Sequence, residues 1–63
     1  MPQLSEKELS AINDILSSES LLVKKFNMLG SMAKDPQIAD QMHGMADVHQ
    51  SHFNQIYQQL GGN

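Results

Sequence analysis

One internal proline sets the architecture. Pro36 falls between two stretches of similar length, in each of which apolar residues recur at alternating steps of three and four. Proline in a helix interior removes a hydrogen bond and clashes with the preceding turn, so a single long helix is excluded. Lys34-Asp35-Pro36 reads instead as a stop followed by a start, in which Asp35 caps and Pro36 takes the first helical position. The first helix has its own start signal in Ser5-Glu6-Lys7-Glu8, a capping box in which Ser5 caps the third helical N–H and Glu8 reaches back. These signals predict a helix over about 6–33, a turn over about 34–36 and a helix over about 37–60, within a single domain over 1–63. Gly61-Gly62 supplies the expected left-handed stop. The fold class is an all-α, antiparallel two-helix hairpin, each helix roughly 35–42 Å long.

The seam of the first helix reads Leu9, Ile12, Leu16, Glu19, Val23, Phe26, Gly30, Ala33, and that of the second Ile38, Met42, Met45, His49, His52, Ile56. Further apolar residues flank these stripes at seven-residue spacing: Ile15, Leu22 and Leu29 on one helix, Ala46, Phe53 and Leu60 on the other. Two helices alone cannot cover faces that wide. A chain of 63 residues without cysteine also has no disulfide to support a small core, which leaves association or a metal. The expected assembly is a homodimer of hairpins, a four-helix bundle, with Ile15, Leu22, Leu29 and Phe53 in the dimer interface. Leu21, Met28 and Met32 fall on the outward side of the first helix.

Three polar residues interrupt the seams: Glu19, His49 and His52. Glu19 lies sixteen residues before Asp35, level with position 51 across the turn, so the three should meet. A carboxylate among apolar groups normally acquires a partner or a proton. One reading is a hydrogen-bonded polar layer that fixes helix register. The other is a metal site of Glu19, His49 and His52, an oxygen and nitrogen ligand set that suits Zn, Fe or Mn. His43, Asp40, Asp47, Lys24 and Lys25 lie off the stripes and read as solvated, while Gly30 and Gly44 allow close helix contact.

Several function classes are disfavoured. A formal charge of −3 with four Lys and no Arg does not suit phosphate-backbone binding, so no nucleic acid is expected. No apolar run approaches the ~18 residues of a membrane span, and the start lacks the features of a secretory signal. An intracellular chain with no membrane partner is expected. Without a cysteine nucleophile or a Gly-rich phosphate loop, no enzyme activity is expected either.

The ordered set Leu4-Ser5-Glu6-Lys7-Glu8-Leu9, Leu21-Leu22-Val23-Lys24-Lys25-Phe26, Asp35-Pro36-Gln37-Ile38 and His49-Gln50-Ser51-His52-Phe53-Asn54 resembles the coat F type spore proteins of endospore-forming Firmicutes. The likeness covers nearly the whole chain. It implies a ferritin-like bundle, a structural or assembly role in the spore coat or mother-cell cytoplasm, and partners among other spore coat proteins. The alternative is a ferritin-like metal-binding or redox-protective protein. Ferritin-like di-iron sites take a Glu from one helix and Glu-x-x-His from another. Glu19 matches the first, but Ala46 stands three residues before His49, and His49 itself stands three before His52. The bridging Glu is missing, which argues against ferroxidase chemistry. A third alternative is an intracellular adaptor whose partner covers Leu21, Met28 and Met32.

Overall fold

The computed structural model describes residues 4–60, so the Gly61-Gly62 stop lies outside the described residues. Two helices account for nearly all of them: α1 (Glu6–Met32) and α2 (Pro36–Gln59). Their ends follow from local chemistry. Ser5 Oγ accepts from the Glu8 N–H at 3.1 Å and Glu8 Oε1 accepts from the Ser5 N–H at 3.0 Å, which closes the capping box. The hydrogen bond from the Ser5 backbone, aided by the Ser5 hydroxyl, holds the Glu8 carboxyl below its ordinary pKa. That contribution to helix stability is present above the ordinary carboxylate range and is lost as the pH falls through the lowered value. At the turn the Ala33 N–H closes α1 on the Leu29 carbonyl at 2.9 Å. Asp35 Oδ1 then accepts from the Gln37 N–H at 2.8 Å, and Pro36 occupies a position whose N–H would have no partner.

With only Ala33, Lys34 and Asp35 between them, the helices run antiparallel and pack side by side. The α1 seam lies as its spacing predicts. Leu16 and Gly30 are buried, and Ile12, Glu19, Val23, Phe26 and Ala33 are partly buried; Leu9, at the open end, is exposed. The α2 seam differs from the expectation. Met42, His49 and Ile56 face α1, but they alternate with Ala39, Ala46, Phe53 and Leu60, not with Ile38, Met45 and His52. Ala46 is the most deeply buried side chain of the described residues at 1% exposure, whereas Ile38 and Met45 are 48% and 39% exposed. Both sets satisfy a step of three or four from Met42. The small set faces α1, with Ala46 buried and Ala39 partly buried, while the larger Ile38 and Met45 lie to one side. Phe53, expected in the interface between hairpins, is therefore partly buried within one, beside Leu16 and Ser20.

The hairpin measures 47 × 18 × 11 Å, two helices wide and one helix thick. Its radius of gyration is 14.4 Å. A compact chain of this length has roughly 10–11 Å. Each seam residue is thus covered from one side only, and the two flanks of the seam differ in chemistry. Asn27 bonds to His43 across the hairpin, so the α1 flank carrying Asn13, Ser20 and Asn27 adjoins the α2 flank carrying His43, Gln50 and Tyr57. On the opposite side Ile15, Leu22 and Leu29 must adjoin Ile38, Met45 and His52. One flank is polar and the other is almost wholly apolar.

Candidate functional site

Glu19, His49 and His52 converge midway along the hairpin. Glu19 reaches α2 because the antiparallel register pairs residues nearly equidistant from Asp35, and the two histidines stand one turn apart on α2. His49 Nδ1–H donates to Glu19 Oε1 at 2.6 Å, and His52 Nδ1 lies 3.3 Å from Glu19 Oε2. The Glu19 and His49 side chains are only 16% and 18% exposed, while His52 is 48% exposed and opens toward solvent on the apolar flank. Phe26 stacks on the His49 ring, with centroids 5.5 Å apart and planes 7° from parallel. The His52 ring meets His49 edge-on at 5.5 Å. The seam phenylalanine thus fixes the orientation of the imidazole whose nitrogen faces Glu19.

One donor atom from each of the three residues lies within 4.8 Å of the others. No fourth His, Cys, Asp or Glu joins them among the described residues. No described side-chain nitrogen or oxygen is buried without a hydrogen-bond partner, so the cluster is also a satisfied polar layer as it stands. The geometry is compatible with both readings made from the sequence.

A second polar contact crosses the seam nearer the turn, where the sequence placed only solvated groups. His43 is partly buried; its Nδ1 pairs with Asn27 Oδ1 at 2.8 Å. Its ring lies over Gly30, where an added Cβ would come within 2.6 Å of Nε2. The signal was present in the sequence: Asn27 and His43 are each eight residues from Asp35, and the seam has no side chain at Gly30 to fill the space between. Gly30→Ala gains about 1 kcal/mol of helix propensity. The methyl must also displace His43 and break its bond to Asn27. We expect Gly30→Ala alone to be neutral or destabilising. In a His43→Ala background the same change should stabilise by about 1 kcal/mol. Chemical unfolding of the four proteins checks this, and equal effects in both backgrounds would show that His43 does not rest on Gly30.

A shallow groove runs along the polar flank of α1, lined by Asn13, Ser17, Ser20, Leu21 and Lys24 with Leu16 and Phe53 between the helices. It offers hydroxyls, an amide and one amine, but no carboxylate or imidazole to act as a base. Ile15, Leu22 and Leu29 are on the opposite flank. No described helix is long and apolar enough to cross a membrane. No family model matches the chain, and comparisons with curated proteins and with solved structures return no match.

Proposed function

We propose that this chain is a small, non-enzymatic assembly protein of the bacterial spore coat, and that its working unit is a homodimer of hairpins forming a ferritin-like four-helix bundle. The observation that carries the dimer is the apolar flank, on which Ile15, Leu22, Leu29, Ile38 and Met45 line up with no Asp, Glu, Lys or Arg among them and His52 beside them. Ile15, Leu29 and Ile38 are each about half exposed (47%, 47% and 48%). Covering such a side chain contributes about 1 kcal/mol, half the value for complete burial. A second copy is the occupant that fits. Its flank has the same length and the same lack of charge, and joining two such flanks yields a bundle thick enough to cover seams that one hairpin leaves half open. The coat role is supported by the motif resemblance that runs from Leu4 to Asn54. Outward-facing Leu21, Met28 and Met32, 52%, 56% and 68% exposed, are available for other coat proteins.

Light scattering on the eluting chain tests the assembly. The wild type should have the mass of a dimer, and Leu22→Glu, which places charge in the middle of the apolar flank, should have that of a monomer. Leu21→Glu, on the outward side, should leave the dimer intact. A monomeric wild type sinks the dimer. Mass spectrometry of isolated spore layers tests the location, and abundance in growing cells with absence from those layers would defeat it.

A second reading, a metal-binding or redox-protective bundle, is favoured by the convergence of Glu19, His49 and His52. Zn, Fe and Mn are the metals their chemistry suits.

A further inference from the structure

We propose that Glu19, His49 and His52 form a mononuclear site for a zinc-class divalent cation, held by the Glu19 carboxylate and the two Nδ1 atoms, with at least one coordination position left open. The proposal gives the metal-binding reading a specific form and rests on it, but does not depend on the dimer.

Three features of the hairpin carry it. The first is chemical. One carboxylate and two imidazoles supply three donors of the types that zinc accepts, and two of these residues are mostly shielded from water.

The second is geometric. Metal–ligand distances of about 2.0–2.2 Å place neighbouring ligands of a tetrahedral ion about 3.3 Å apart. His52 Nδ1 already stands 3.3 Å from Glu19 Oε2. His49 Nδ1 at 2.6 Å from Glu19 Oε1 is closer than two donors sharing an ion, because a proton now lies between them. Binding moves that proton to Nε2 if the imidazole is neutral, or releases one if it is charged. The three donors, already within 4.8 Å of one another, then draw around one ion by side-chain rotation.

The third is preorganisation. Phe26 stacked on His49 and the helical spacing of His49 and His52 hold both rings near each other before any ion arrives.

The open position follows from the count. Three protein ligands do not complete a four-coordinate zinc, and no other described His, Cys, Asp or Glu is in reach. In the single hairpin His52 borders the solvent side of the cluster, so the remaining position is open to water or to a small anionic ligand there, and in the proposed dimer it faces the second copy.

The test uses the full chain, untagged and stripped with chelator, titrated with Zn²⁺ by calorimetry and with Co²⁺ followed by its visible absorption. Native mass spectrometry reads ions per chain and chains per assembly separately, so loss of the ion and loss of the dimer are distinct results. One ion per chain is expected. Loss of outer-shell partners alone weakens metal sites by about 10–100-fold. Loss of a ligand in His52→Ala or Glu19→Gln should therefore weaken uptake by more than about a hundredfold. His43→Ala should bind as the wild type does. Both ligand variants should keep the helices, because His52 is half exposed and Glu19→Gln is nearly isosteric, and circular dichroism verifies this. The proposal is overturned if the folded wild type shows no saturable uptake, if both ligand variants bind undiminished, or if only His43→Ala abolishes binding.

Discussion

Ala46→Leu is expected to destabilise the hairpin by about 1–3 kcal/mol. In a domain of this size each kcal/mol lowers the melting temperature by about 4–8 °C. Ala46 is 1% exposed with α1 closely packed against it, and three added carbons have nowhere to go without separating the helices. Met45→Leu, one residue away, should change stability by less than about 1.5 kcal/mol, because Met45 lies on the flank and the volumes are similar. Thermal unfolding of both variants checks the phase of α2. If Met45→Leu proved severe and Ala46→Leu harmless, the seam would run through Ile38, Met45 and His52.

Glu19→Leu should cost about 1–2 kcal/mol, toward the lower end for stranding a buried donor because some water still reaches His49. The informative result is the double variant Glu19→Leu with His49→Leu. Replacing both members of a buried polar pair by apolar groups of similar size is often neutral or stabilising. We therefore expect the double variant to melt at or above the wild-type temperature in chelator-containing buffer. A double variant no more stable than the single one would mean that the fold itself requires the polar layer. A stable double variant would leave ion uptake as the property for which these side chains are needed.

The sequence and the structure diverge at identifiable places. The capping box at Ser5 and Glu8, the Asp35-Pro36 start and the α1 seam from Ile12 to Ala33 were legible because each depends on backbone geometry along one stretch of chain. The meeting of Glu19 with His49 and His52 was legible from distances along the chain to Asp35. The phase of α2 was not. Ile38, Met45 and His52 compete with Ala39, Ala46, Phe53 and Leu60 for the same alternation, and hydrophobicity favours Ile38 and Met45 over the alanines. How α2 docks on α1 decided the matter, and that is a property of two helices together. His43 was missed for the same reason: its place is set by the absence of a side chain at Gly30, on the other helix. Correcting the phase also changes the flank proposed for the dimer. Phe53 leaves it, and Ile38, Met45 and His52 join Ile15, Leu22 and Leu29.

The pairing of residues symmetrically about Asp35 also prescribes an order of events. Asn27 and His43 are 16 residues apart, Glu19 and His49 are 30 apart, and Leu9 and Leu60 lie farther apart still. Contacts near the turn close the shortest loops, so the hairpin should zip from Asp35 outward and fray in the reverse direction. Glu19 and His49 therefore separate before Asn27 and His43 do. An ion held by Glu19, His49 and His52 would act as a clasp partway along this zipper, slowing the escape of everything between it and the turn while leaving the two free ends to open and close.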